Sequence, residues 1–318
     1  MCAELSQSLN TTLSIDSLHK RYGSHNVLNG LSLQIEPNSI VGLVGLNGSG
    51  KTTTIECLLG LQRFQDGTIS VLGTSPKDIF QLKGRVAAVF DQPCLYPGLS
   101  VRQSSMHTRF VLRNHSSEPV TLEDSFRLTR YRKFKTKKLS FGNKRRTAIM
   151  QALIGPPDFV VFDEPFIGLD AEGVEDVLHI IKNENKDRGT TFLLASHQLP
   201  YLERICTHIA ILHEGSIALH DKIENLLASN SLSVRVRSPQ CAEIAELVLA
   251  HQKIDLVRHL GDDTVELSLE DLTSAELNRL LVQGGISVSE LEVVRQSLNS
   301  LFRSITNQDI DQEVGQPQ

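Results

Sequence analysis

Residues Gly45 to Thr52 read GLNGSGKT, a glycine-rich loop ending in Lys-Thr whose setting decides the fold. Before it, IVGLV (40–44) is a short apolar run that reads as a buried strand. After it, TTTIECLL (52–59) has helical spacing and stops at Gly60. In a strand–loop–helix of this kind, glycines at 45, 48 and 50 let backbone N–H groups turn inward on a β-phosphate, and the helix N-terminus adds partial positive charge. Lys51 then reaches the β- and γ-phosphates, and Thr52 offers its hydroxyl to Mg²⁺. An ordinary turn is the plain alternative, but a chance match in this strand and helix setting is rare.

Working outward, TLSIDSLHKRY, GSHN and VLNGLSLQI (12–35, with Asn26 closing the turn) predict an antiparallel pair ahead of the loop strand. GTISVL (67–72) and VAAVF (86–90) are short β-rich runs, whereas residues 99–135 carry helical patches. Strands return at FVVF (159–162), TFLLA (191–195) and HIAIL (208–212), with helical segments between them. Alternation of this kind builds a mostly parallel sheet flanked by helices. From about Ser231 the order becomes βαββαβ. A strand SVRVR is followed by a helix over 241–251, a hairpin of 254–260 and 264–269, a helix over 274–282 and a strand over 286–293. That order is ferredoxin-like, with a last helix near 298–305 and a polar tail, 307–318, expected to be disordered.

Composition narrows the function. The 318 residues favour one large domain plus a smaller one, and the hydrophobic share of 40% is enough for a sizeable core. A net charge of -5 disfavours a nucleic-acid partner. Five cysteines without a C-x-x-C pair suit a reducing compartment and argue against zinc or disulfide frameworks. No stretch approaches the roughly 20 apolar residues that span a bilayer, so the chain reads as cytosolic, and any spanning part must come from another polypeptide.

A second chemical signal is FVVFDEP (159–165). Four apolar residues deliver Asp163 and Glu164 to the end of a buried strand, beside the phosphates. Asp163 is placed to hold Mg²⁺ and Glu164 to polarise an attacking water, the positioning that phosphoryl transfer needs. A carboxylate pair in a surface turn is the bland alternative.

Together these residues resemble the ATP-binding subunits of ABC transporters, over about Thr12 to Leu227. The resemblance includes LSFGNKRR (139–146), similar to the family signature LSGGQ; GLD (168–170), similar to the D-loop; and ASHQ (195–198), carrying the switch histidine His197. DEPFIGLDAEGV, CLYPGLSV and SLNSLFRSIT look like the bacterial subunits that serve ABC-2-type exporters, including bacitracin and lantibiotic self-protection systems.

The resemblance implies a P-loop NTPase of ABC type over 12–230, an α/β fold with a mostly parallel sheet core, an antiparallel β subdomain and a helical subdomain. An accessory α+β domain over 231–306 would follow. ATP and Mg²⁺ are the implied cofactors. Phosphates would be held by Gly45, Asn47, Gly48, Ser49, Gly50, Lys51, Thr52 and Thr53, adenine would stack on Tyr22, and Thr52, Asp163 and Asp91 would serve the metal. Glu164, His197 and Asp91 would carry the chemistry. Ser140 and Gly142, opening a helix, would clamp the nucleotide of a second subunit, with Asp170 nearby. The partners implied are a second ATPase subunit, identical or different, and a separate integral-membrane permease that holds the chain at the inner face of the membrane. The function implied is ATP-driven transport, with export favoured. A low-turnover nucleotide switch, or a soluble ABC ATPase without a transport role, is the alternative.

Three departures bear on this. The family's metal-touching Gln falls on Asp91, with Gln92 one step later, and the acid is preferred because it suits Mg²⁺. Phe141 and Asn143 replace the usual signature Gly and Gln, and Phe166 stands where a small hydroxyl residue is common. The basic run from Arg127 to Arg146 reads first as a solvated face; attraction to a nucleotide or to anionic lipid is the sharper reading.

Overall fold

The computed structural model describes residues 11–112, 119–227, 231–249, 251, 253–261, 263–270, 272–294 and 297–313. The chain divides into two compact units, Met1–Ile223 and Glu224–Gln318.

In the first unit, strand β3 (Ile40–Val44) is buried at every residue, as a strand covered on both faces must be. It pairs in parallel with β7 (Thr191–Ser196) on one side and β8 (His208–His213) on the other. Strands β6 (Phe159–Asp163) and β5 (Val86–Val89) extend the sheet beyond β7, and β9 (Ser216–Lys222) closes the far edge antiparallel to β8. The order is β5-β6-β7-β3-β8-β9. Register carries the functional consequence. Val44 lies opposite Ser196, Asp163 opposite Ala195, and Val89 opposite Phe162, so the carboxyl ends of β3, β7, β6 and β5 emerge at one level. In open α/β sheets ligands sit beyond such ends.

A second sheet, of order β2-β1-β4, is antiparallel: β1 (Leu13–Tyr22) lies between β2 (His25–Ile35) and β4 (Asp66–Val71). Leu28 and, in alternation beyond it, Leu31, Leu33 and Ile35 of its inner face join Leu43, Ile55, Leu58 and Val161 in one core. Each such side chain contributes about 1.5–3 kcal/mol on full burial. The predicted helix after the loop is α1 (Lys51–Leu58).

The helical part contains α2 (Val101–Val111) and α3 (Pro119–Ser125), followed by α4 (Phe141–Leu153). The start of α2 is fixed by a capping box between Ser100 and Gln103, and α4 starts where the Ser140 hydroxyl accepts from the Asn143 amide. Helix α5 (Ala171–Arg188) is capped by Asp170 and ends on Gly189 at φ 70°, while α6 (Leu199–Ile205) follows β7. Arg145 and Arg146 are buried on α4, which overturns the reading of the whole basic run as a solvated face. Helical period places Arg145 with Ala148 and Ile149 on the packed side.

After α7 (Ile223–Leu227), the second unit runs β10 (Ser231–Arg237), α8 (Cys241–Leu249), β11 (Ile254–His259), β12 (Thr264–Glu270), α9 (Ser274–Gln283), β13 (Glu290–Val294) and α10 (Leu298–Glu313). Its antiparallel sheet has the order β11-β12-β10-β13 and its own core around Val234, Val236, Ile244, Leu267 and Leu277. Two boundaries differ from expectation. Strand β13 starts at Glu290 rather than Ile286, because Ile286 is turned into the core as the chain leaves α9. Helix α10 continues to Glu313 through the segment expected to be a disordered tail; residues 314–318 lie outside the described residues.

Candidate nucleotide site

The ends of β3, β5, β6 and β7 surround a cavity of about 400 Å³, lined by Val27, Asn47, Gly48, Gly50, Lys51, Thr52, Thr53, Asp91, Asp163, Glu164, Ile167 and His197. Gly48 and Gly50 adopt φ of 83° and 106°, the left-handed region that glycine enters without strain. A Cβ on Gly50 would stand 2.7 Å from the Leu28 side chain, so both conformation and space require glycine there. At Gly45, which is not on the cavity wall, a Cβ would stand 2.4 Å from Ser49 Oγ. Ser49 Oγ is buried with no hydrogen-bond partner among the described residues.

Lys51 is buried and its Nζ donates to the carbonyls of Gly45 (2.8 Å) and Leu46 (3.1 Å). Burial pushes its pKa below the usual lysine range, while the charges of Glu164 and Asp163 pull it back up. Thr52 Oγ1 donates to Asp163 Oδ2 at 2.8 Å. Burial pushes the Asp163 carboxyl above the ordinary range, and that hydrogen bond opposes the shift.

Glu164 sits at φ 50°, an uncommon conformation for a side chain of this size, and its amide donates to Ala195 O at 2.8 Å. Its carboxylate is held on both oxygens. Oε2 accepts from Ser196 Oγ at 2.8 Å; Oε1 accepts from the His197 amide at 3.2 Å and lies 2.7 Å from His197 Nδ1. An ionised carboxylate only accepts, so Nδ1 carries the hydrogen and Nε2 of a neutral ring is left as an acceptor.

The β5 exit separates the two candidates for the metal-touching position. Asp91 lines the cavity, whereas Gln92 lines a different groove, of about 330 Å³, between the Gly84–Phe90 segment and α4. Among the described residues no group of three or more His, Cys, Asp and Glu could hold a metal unaided. The oxygens of Thr52, Asp163 and Asp91 nevertheless fit Mg²⁺, which keeps several waters and takes ligands from nucleotide phosphates with one or two carboxylates. Bound there, the ion would neutralise charge on the phosphates.

The remaining predicted residues stand apart. Tyr22 is half exposed at the end of β1, with Lys20 Nζ 4.4 Å above its ring, and is not on the cavity wall. Ser140, Gly142 and Asp170 also lie off the wall. Asp170 is engaged within the chain by the Gly173 amide and by Arg146 at 3.0 Å. The Phe141 ring packs on Gly168, where a Cβ would be 2.2 Å from it. Phe166 is buried edge-to-face on Tyr201, with centroids 5.2 Å apart. Sequence reasoning passed over Ser196, Val27, Ile167 and Arg145. For Ser196 the signal was its place at the end of an unbroken apolar strand, next to His197.

The sequence profile described as ABC transporter matches residues 28–167. The chain is 27% identical over 296 residues to the bacitracin transport ATP-binding protein BcrA of Bacillus licheniformis, covering 92% of this chain and 97% of that protein. It is 32% identical over 222 residues to the ABC-type transporter ATP-binding protein EcsA of Bacillus subtilis, covering 67% of this chain and 88% of that one. A solved ATP-binding subunit of an ABC transporter, 29% identical, superposes with a TM-score of 0.63 over 68% of this chain and 92% of its own length. A dimeric cassette, MJ0796, solved with ADP and Pi, shares the fold at 22% identity and a TM-score of 0.60, over 66% of this chain and 98% of that one. The chain belongs to the ATP-binding proteins of ABC transporters. It is an ATPase of the P-loop class.

Proposed function

We propose that this chain binds Mg²⁺–ATP in the cavity at the ends of β3, β5, β6 and β7 and hydrolyses it as one half of a dimer that drives a membrane permease, in the direction of export. The supporting observation is the convergence of Lys51, Thr52, Asp91, Asp163, Glu164 and His197 on that one cavity. Lys51 and the loop amides bind the phosphates, and Thr52, Asp163 and Asp91 hold the metal, which lowers the charge that an attacking water meets. Glu164 takes the proton of that water. The left-handed backbone and the bonds from Ser196 and His197 keep its carboxylate aimed, so little reorganisation accompanies the step. His197 fixes Glu164 through Nδ1, and its Nε2 donates to the γ-phosphate in the imidazolium form, the one form in which both ring nitrogens carry hydrogen.

Ser140 and Gly142 lie off this cavity, which supports their use on the nucleotide of a partner subunit. The groove lined by Gln92, Leu95, Thr108, Leu112 and Gln151 is our candidate for the permease contact. Consecutive residues Asp91 and Gln92 line the nucleotide cavity and the groove, so one loop feels both occupants. Among the described residues no helix is long and apolar enough to cross a membrane, which supports a separate permease. The exported compound class follows the likeness to bacitracin transport proteins.

Glu164→Gln is the direct test. It should abolish steady-state hydrolysis and yield an ATP-dependent dimer on size-exclusion chromatography. Turnover at the parental rate would remove Glu164 as the base, and a monomer under saturating ATP would remove the shared site.

A further inference from the structure

Among the described residues Arg145 is the largest fully buried side chain, and neither the loop motif nor the catalytic pair accounts for it. It projects from α4, one turn after Phe141, whose ring lies 5.6 Å from the guanidinium carbon. One terminal nitrogen donates to Phe90 O at 2.7 Å and to Asp163 O at 3.4 Å. The other donates to the carbonyl of Asp91 and, at 3.2 Å, to Asp91 Oδ1. The fork therefore ties together the carboxyl ends of β5 and β6, the two strands that deliver Asp91 and Asp163. A planar guanidinium can serve several acceptors at fixed angles, which an ammonium cannot.

Burying this cation without an ionic partner would cost several kcal/mol, so the bond to Asp91 is strongly directional in its consequences. Asp91 is held on one carboxylate oxygen. Its side chain is still half exposed, and the residue lines the cavity. Among the described residues no bond holds Oδ2, and the bond on Oδ1 fixes where it points.

We infer that Arg145 is the positioning residue for Asp91: from the signature helix it holds the carboxylate on Oδ1 and presents Oδ2 to the metal of the Mg²⁺–nucleotide. The inference rests on the nucleotide reading proposed above. It also links the start of α4, where the signature lies, to the metal side of the cavity through one side chain. A shift of α4 along its axis then moves Asp91.

The test is metal binding rather than turnover. Mn²⁺ replaces Mg²⁺, and its electron paramagnetic resonance signal is titrated at fixed, saturating non-hydrolysable ATP analogue, with nucleotide binding in EDTA measured in parallel. Arg145→Lys and Arg145→Met should raise the metal concentration for half-occupancy about 10- to 100-fold, as loss of a group orienting a metal ligand does. Nucleotide affinity in EDTA should stay within about twofold. Asp91→Asn, which leaves the buried Arg145 without its ionic partner and so needs its own folding check, should give a similar rise, and adding Arg145→Lys to it should add little, because the two act as one unit. Thermal unfolding in EDTA identifies any variant of the pair that fails to fold; Asp91→Glu, which keeps a charge opposite Arg145 while displacing the carboxylate, then carries the test and should also raise the metal midpoint, an unchanged midpoint overturning the inference. A metal midpoint unchanged in Arg145→Lys or in Asp91→Asn, or full additivity of the two, overturns the inference. Parent protein that shows no metal-dependent nucleotide binding overturns the underlying site instead, so the two failures are distinguishable.

Discussion

Ser196→Ala isolates the support of the proposed general base. Ser196 is fully buried at the end of β7; its hydroxyl donates to Glu164 Oε2 at 2.8 Å and accepts from the Gln198 amide at 3.1 Å. A hydrogen bond to a charged group is worth about 1.5–3 kcal/mol, which alone would allow a loss of roughly 10- to 150-fold. Glu164 keeps both contacts from His197 after the substitution, so the expected loss lies at the lower end, about tenfold in kcat. KM for ATP should stay within about twofold, because the lost contact orients the base rather than the bound nucleotide. The assay is phosphate release over a range of ATP concentrations, with thermal unfolding as a check on folding. A kcat within twofold of the parent, or a loss confined to KM, would refute the reasoning that the Ser196 bond aims Glu164.

Two further expectations concern stability. Asp163→Asn should stabilise the nucleotide-free protein near neutral pH while removing the extra stabilisation that Mg²⁺ adds to bound nucleotide. The sign follows from burial: the folded carboxyl titrates above its unfolded value, so the penalty of burying the charge is full at pH above the raised value and vanishes below the unfolded one. The parent should therefore lose this penalty as pH falls through that window, and the variant should not; calorimetry with and without Mg²⁺ across acidic to neutral pH reads both effects, and a destabilised variant at neutral pH would contradict the account. Phe166→Thr restores a small hydroxyl residue at a position where the ring fills the core against Tyr201. Removing most of a buried phenyl costs about 3 kcal/mol. At about 2–4 °C per kcal/mol for a unit of this size, the melting transition of the unit holding the cavity should fall by roughly 6–12 °C. An unchanged transition would mean that the ring is not part of the core.

The parts of the site that were legible in the sequence are those encoded by local constraints. The loop at 45–52 is written in glycines that must take positive φ, and FVVFDE is an apolar strand running straight into two carboxylates. Both are short-range patterns whose physical reason sits within a few residues. Arg145 was not legible because its partners, Phe90 O, Asp91 and Asp163 O, are backbone and side-chain groups more than fifteen residues away, and its neighbours Lys144 and Arg146 made it look like one charge among many. Only its helical phase, in step with Ala148 and Ile149, set it apart. The length of α10 escaped for the opposite reason, since polar composition over 307–313 suggested a tail where the backbone continues as helix.

The ambiguity between Asp91 and Gln92 shows where local reading stops and register begins. Both residues are polar, both follow the same apolar run, and either could face a phosphate. Asp91 and Gln92 lie in the bend just past the end of β5, so the choice depends on where β5 ends and how the chain turns out of the sheet. That end is set by pairing with β6, in which Val86 lies opposite Phe159 and Val89 opposite Phe162. A one-residue slip would exchange the two roles, sending Gln92 to the nucleotide and Asp91 to the groove. The guanidinium of Arg145 opposes that slip, because it bonds to the carbonyls of both Phe90 and Asp91 and to the carboxylate of Asp91 at once. The residue that sequence reasoning placed on the solvent is thus the one that holds the carboxylate on the nucleotide side.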